Sequence, residues 1–323
     1  MSKRFAIALL LVFIVIFVAI LSMTRLDDQG IFSAPTTFEF VTLTIGEAQG
    51  DPVEGSIFMP EIVPLDDGSY RMFFAESDGK SSAIKYADSS DGISWEVKGV
   101  ALEGEDDLKS PLHLIGGPSI VRLENGDFRM YYRATTDHAG DPRPLYQNFS
   151  AVSHDGMTFT PESGTRIPIQ NYDQESPFVL AGHGRYFEAE DGTLAAIVSL
   201  NTLDDQNGPS DLALMTSEDG LTWENYEILY EDWHDPTVVQ IDGYYLMYAT
   251  YLTETQGVAV STDGLNWPDE MLDVDFVDAD GNVLTEADGG VGDIAAAVIS
   301  DGEIWIYTNY GRPGRDIALF KQQ

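Results

Sequence analysis

GPSIVRLENGDFRMYY, residues Gly117 to Tyr132, holds two runs rich in Val, Ile, Phe and Tyr on either side of an Asn-Gly bend. β-Branched and aromatic residues suit a pleated surface, and Asn-Gly at the bend is hairpin chemistry. The stretch predicts a β-hairpin. The same grammar returns in PEIVPLDDGSYRMFF (Pro60 to Phe74), GRYFEAEDGTLAAIV (Gly184 to Val198), DPTVVQIDGYYLMYA (Asp235 to Ala249) and GDIAAAVISDGEIWIY (Gly292 to Tyr307). The turn glycines Gly68, Gly126, Gly192, Gly243 and Gly302 stand 58, 66, 51 and 59 residues apart. Such intervals suit a four-stranded blade with loops better than any helical repeat. No stretch after Met23 keeps a 3.6-residue apolar period, so essentially no helix is expected there.

A second motif follows the hairpin within a repeat. S-x-D-G-x-x-W/F occurs at Ser89 to Trp95, Ser153 to Phe159, Ser217 to Trp223 and Ser261 to Trp267. Its Ser and Asp side chains can hold a tight turn by bonding the turn's own amides, Gly supplies φ > 0, and the aromatic plugs the gap to the next sheet. The motif resembles the Asp-box of sialidases and other β-propellers, where it marks a turn and has no catalytic meaning.

The fifth copy lacks this box and ends one strand short, at Asp316 to Gln323. At the other end, Thr37 to Ile45 is a lone alternating strand without a hairpin partner nearby. Pairing the two ends completes the fifth sheet and removes open edges. The expected fold is all-β: a five-bladed β-propeller over residues 37–323, closed by its N- and C-terminal strands, preceded by an N-terminal hydrophobic helix.

With strands A to D numbered from the channel outward, the Gly turns and the boxes fall on one rim. The starts of A and the ends of B gather on the other, where a site is expected. There Trp233-His234-Asp235-Pro236-Thr237-Val238-Val239, running into Asp242-Gly243-Tyr244-Tyr245-Leu246, resembles the blade opening of arabinanase, levansucrase and invertase type propellers. The resemblance implies a glycosidase with an Asp, Asp, Glu set from successive blades, serving as base or nucleophile, pKa modulator and general acid. The first three blades depart from it, opening on Met59-Pro60-Glu61, Gly117-Pro118-Ser119 and Gly184-Arg185. Across the ring closure, however, Asp235, Asp293 and Glu61 restore that order on three adjacent blades, and these three are the candidate catalytic set.

Arg133, Arg185 and Arg312 fall on the same rim, where a guanidinium can fork onto the carboxylate or sulfate of an acidic sugar. His183 and His234 stand beside A-strand starts and are candidate sugar-binding residues. Asp278 to Asn282 resembles the opening of a calcium loop without the Glu that closes an EF-hand. A surface turn is expected there, with no metal or cofactor required and a loose Ca²⁺ site as the alternative.

The 54 Asp and Glu against 17 Lys and Arg give a net charge of -37. That charge repels nucleic acid, and with only six Lys it fits an acidic, halophilic surface screened by salt. The absence of Cys excludes disulfides, thiolate metal sites and Cys nucleophiles. Phe5 to Met23 is an apolar run preceded by Lys3 and Arg4. It is long enough to cross a bilayer and has no small-residue cleavage pair near its end. Residues 1–24 are expected to be a membrane anchor or signal segment and 25–36 a linker. The propeller then lies outside the cytoplasm, anchored by the uncleaved helix or, alternatively, secreted. The function expected is a glycoside hydrolase-like propeller acting on or binding a carbohydrate at its channel mouth. The alternative is a non-catalytic glycan- or protein-binding module.

Overall fold

The computed structural model describes residues 32–323 except 52, 54, 108–109, 137–144, 170–175, 203–209, 253–254, 285–290, 300–301 and 312–313. The hydrophobic segment and Arg312 lie outside the described residues. Among the described residues, no helix is long and apolar enough to cross a membrane.

From Pro35 to Gln323 the chain forms one compact unit. It opens with β1 (Thr37–Gly46) and a single 3-10 turn at Glu47–Gln49. Three four-stranded sheets follow. The first holds β2 (Ser56–Pro64), β3 (Tyr70–Ser77), β4 (Ser82–Ser89) and β5 (Glu96–Glu103). The second holds β6 (Gly116–Arg122), β7 (Phe128–Thr136), β8 (Leu145–Ser153) and β9 (Thr160–Pro161). The third holds β10 (Phe178–Glu188), β11 (Leu194–Thr202), β12 (Asp211–Ser217) and β13 (Glu224–Tyr230).

The remaining strands form one eight-stranded sheet that divides into two four-stranded meanders. One is β14 (Trp233–Ile241), β15 (Tyr244–Tyr251), β16 (Thr255–Ser261) and β17 (Leu272–Val277). The other is β18 (Val291–Val298), β19 (Ile304–Tyr310) and β20 (Asp316–Gln322), with β1 as its outer strand. β1 runs antiparallel to β20 and parallel to β17, with Phe38 opposite both Gln322 and Phe276. The terminal strand thus completes the last blade, as expected, and also welds it to its neighbour. The first strands of the five meanders pack in a closed ring, β2 on β6, β6 on β10, β10 on β14, β14 on β18 and β18 on β2.

The core lies between blades. Tyr131 and Tyr186 stack at 3.8 Å from adjacent blades, with the Trp223 ring edge-on to both. Each box closes as its chemistry requires: Asp91 Oδ1 accepts the amides of Ile93 and Ser94 at 2.8 Å, and Ser89 Oγ accepts that of Gly92 at 2.9 Å. Neighbouring blades then grip the boxes, since Tyr307 Oη donates to Gly92 O and Tyr131 Oη to Gly220 O. Arg166 is 4 % exposed and donates to the carbonyls of Ser163, Gly164 and Leu221, a structural role. Asp278 folds a surface turn by accepting the amides of Asp280 and Asn282.

This packing sets an expected result for the boxes. Trp223→Ala, emptying a site 5 % exposed, should lower stability by about 3 to 5 kcal/mol in urea unfolding. Sugar affinity of the surviving folded protein should stay unchanged, because the box sits on the rim opposite the candidate site.

Candidate functional site

Every inner strand breaks register at the same depth. The shifts fall between Phe58 and Glu61, Gly116 and Ser119, Ala181 and Gly184, His234 and Thr237, and Val291 and Ile294. A bulge leaves residues unpaired and re-aims their side chains, and here it also admits Pro60, Pro118 and Pro236 into strands. The bulge residues are Met59, Gly117, His183, Asp235 and Asp293, one per blade, and they ring the channel mouth. Met59, Gly117 and Asp235 hold left-handed φ of 51°, 60° and 50°. At Gly117 a Cβ would lie 2.9 Å from the His183 ring, so glycine is what lets that imidazole lie across the mouth.

Two residues further down each strand, about 7 Å deeper, a second ring holds Glu61, Ser119, Arg185, Thr237 and Ala295. Three of its side chains lace adjacent blades. Glu61 Oε1 accepts the amide of Ile120 at 3.3 Å, Ser119 Oγ that of Tyr186 at 3.1 Å, and Thr237 Oγ1 that of Ala296 at 3.2 Å. Glu61, 4 % exposed, also forms an ion pair with Arg185 across the channel. Burial lowers the Arg185 guanidinium to about 10, which leaves it charged at neutral pH. Beneath this pair the channel is a cavity of about 180 Å³, with Arg185 at its head and Ile62, Val238, Val239, Ala296 and Ala297 in its wall.

The mouth itself is polar. His234 Nδ1 lies 2.8 Å from Asp235 Oδ2, and His183 Nδ1 lies 3.6 Å from Asp235 Oδ1. His234 Nε2 meets Leu252 O, so the ring has an acceptor on each side. Burial opposes charge on His234, but the hydrogen bond and charge of Asp235 prevail and hold it up at about 9. Burial also works to raise Asp235, yet hydrogen bonds and charge from His183 and His234 hold it well below the usual carboxylate range. Asp293 moves the other way, to about 7, through burial first, then the negative charge of Asp235 and a hydrogen bond with it; Arg133 and His234 pull against this. Two neighbouring carboxyls cannot both ionise cheaply, and their environments push their pKa values apart.

Arg133 lies within β7, where it is the last residue paired to β6, opposite Gly116, with its guanidinium 4.2 Å from the centre of the Tyr146 ring. Asn309 approaches Gly292 so closely that a Cβ there would lie 2.5 Å from its amide, and its Oδ1 is buried without a hydrogen bond. Two positioning groups escaped the sequence reading. Asn148, 1 % exposed, donates to Ala181 O and Gly182 O and accepts from Tyr186 Oη, fixing the bulge that carries His183. Tyr146 supplies the face under Arg133.

Of the candidate catalytic set, Asp235 and Asp293 meet, while Glu61 lies in the deeper ring with Arg185. His183 and His234 converge on Asp235, and Arg133 acts on Asp293. Among the described residues no group of three or more His, Asp or Glu is arranged to hold a metal ion.

The pair makes stability depend on pH in a checkable way. Asp293 has a higher pKa folded than unfolded, so its contribution is full below the unfolded value near 3.8 and is lost as pH rises through about 7. Asp293→Asn, neutral at every pH, should flatten the loss of melting temperature between about pH 4 and 7. An unchanged slope in the variant would assign that loss to other groups.

No family model and no curated protein matches the chain. Solved structures match in fold. A family 117 glycoside hydrolase from the marine bacterium Zobellia galactanivorans aligns at TM-score 0.64 and 18% identity, over 88% of this chain and 90% of that one. A β-1,3-galactosidase of glycoside hydrolase family 43 gives 0.65 and 14%, over 87% and 93%. An α-L-arabinofuranosidase from Lactobacillus brevis gives 0.62 and 14%, over 82% and 90%. At these identities the likeness is one of fold, an all-β propeller.

Proposed function

We propose that the protein is a non-catalytic carbohydrate-binding module on a glycosidase-type five-bladed propeller, taking its ligand at the channel mouth. The observation that carries this reading is the disposition of the three acids. Glycoside hydrolysis uses two carboxyls roughly 5 to 10 Å apart, with a sugar carbon or a water between them. Asp235 instead lies near enough to Asp293 for its charge to help keep that carboxyl protonated, and Glu61 is held in a buried ion pair.

The mouth is nonetheless suited to sugar hydroxyls. Arg133, His183, His234 and Asn309 offer polar atoms, and on the blade of Asp235 the rings of Trp233 and Tyr251 lie 5.2 Å apart, with Tyr251 36% exposed. Aromatic faces of this kind stack on sugar rings. The proteins of similar fold are described as glycosidases, which supports a carbohydrate as the ligand class. No cofactor enters this reading. The N-terminal apolar run supports a place outside the cytoplasm, anchored or secreted, which protease accessibility on intact cells would test.

Hydrolysis is the second reading, favoured by one observation: Asp293 is poised to hold a proton beside an ionised Asp235, the asymmetry that acid and base roles need. Screening the full chain against a glycan array and a panel of chromogenic glycosides separates the two. Binding without turnover is the expected result. Turnover that disappears in Asp235→Asn and Asp293→Asn would overturn the module reading and install hydrolysis.

A further inference from the structure

The seven described arginines divide by partner. Arg71, Arg122, Arg129, Arg185 and Arg315 each pair with a carboxylate, and Arg166 donates to three carbonyls. Arg133 has neither kind of partner among the described residues; it lies over the ring of Tyr146. In a chain with 54 acidic side chains against 17 basic ones, a guanidinium with no carboxylate on it is the exception. The other charges at the mouth are compensated locally, Asp235 by His234 and Glu61 by Arg185.

We propose that Arg133, held over the Tyr146 ring, is the anion-recognising subsite of the mouth and selects glycans whose sugars carry a carboxylate or sulfate group. This deepens the carbohydrate-binding reading and rests on it. The cation–π contact with Tyr146 restrains the guanidinium, whose plane carries no donors on its faces. The N–H donors all lie in that plane, along the edges, and remain available to fork onto a carboxylate or sulfate. Its place within β7, paired with Gly116 on one side and Asn148 on the other, fixes the backbone that carries the fork beside the ring of bulge residues.

The neighbouring groups give the subsite a pH dependence. Asp293 is faced by Asp235 and His234 from β14 and by Arg133 from β7, with His183 of β10 acting through Asp235, while the neutral Asn309 of β19 packs on the preceding Gly292. Below about pH 7 Asp293 is uncharged and the field around Arg133 welcomes an anion. Above it, a second carboxylate repels the ligand's charge.

The test is calorimetric titration of the full chain at constant ionic strength, with a galacturonate oligosaccharide, a sulfated galactan oligosaccharide and a neutral galacto-oligosaccharide as probes. At pH 6 one anionic probe should bind roughly ten- to a hundredfold more tightly than the neutral one, as expected for charge-assisted hydrogen bonds. Which anionic probe binds better identifies the group. The preference should shrink at pH 8, fall to about onefold in Arg133→Ala, and be intermediate in Arg133→Lys, which keeps the charge without the fork. Melting temperatures close to the parent's exclude misfolding as the cause. Equal affinity for neutral and anionic probes, or an Arg133→Ala variant that keeps the preference, overturns the inference and leaves the carbohydrate-binding reading standing. Failure of every glycan to bind, the neutral one included, overturns both.

Discussion

Removing Thr36 to Ile45 is expected to abolish cooperative folding of the propeller. β1 forms ladders with both β20 and β17, so its loss opens two edges at once. It also takes away Phe38 and Ile45, both fully buried, and with Phe38 its ring contacts to Tyr248 and Phe276 at 5.7 Å. Truncating one such side chain costs about 2 to 5 kcal/mol, and a whole domain is stable by only about 5 to 15 kcal/mol. Two lost anchors and two lost ladders therefore consume most of that margin. Circular dichroism should show a broad, early transition, and a synthetic peptide spanning Thr36 to Gly46 should restore the sharp one. A deletion variant that melts like the parent would mean that β20 and β17 close the ring unaided.

How far the fold could be read in advance follows from where its information lies. Hairpin and box are local: Asn125-Gly126 bends two flanking strands, and Asp91 collects the two amides that follow it. Closure required only counting strands, since the last blade ended one short and Thr37 to Ile45 had no local partner. The parallel seam between β1 and β17 had no such signal, because it joins segments far apart in sequence that share only a pleated edge.

The site was legible to the level of the rim and no finer. Counting back from the turn glycines placed Asp235, Asp293 and Glu61 on one rim, but the count does not reveal depth. The bulges do, separating Met59 from Glu61 into upper and lower rings, and a register shift is a property of the pair of strands that a single strand's residues do not announce. For the same reason the partner of Glu61 was invisible. Arg185 comes from a non-adjacent blade and meets it only because the ring closes. Asn148 left a faint signal, an amide in the middle of an otherwise ordinary strand, whose purpose appears once Ala181 and Gly182 lie beneath it.

The pair in the lower ring yields the second large effect. Arg185→Met strands the Glu61 carboxylate at 4 % exposure, and Glu61→Met strands the guanidinium. Removing one partner of a buried ion pair typically costs about 3 to 5 kcal/mol, whereas replacing both with apolar groups of similar volume is often neutral. Each single variant should therefore lose that much in urea unfolding, and the double variant should recover most of it. Recovery should stop short by about 1 to 3 kcal/mol, because Glu61 also accepts the Ile120 amide and a methionine leaves that buried donor without an acceptor. Glu61→Gln with Arg185→Met separates the two contributions, since the amide oxygen keeps the bond to Ile120 while neither charge remains. If the double methionine variant is as unstable as the worse single one, the two side chains are uncoupled and the ion pair does not brace the channel. If Glu61→Gln alone is as stable as the parent, the carboxylate carries no structural load and becomes available again as a candidate acid.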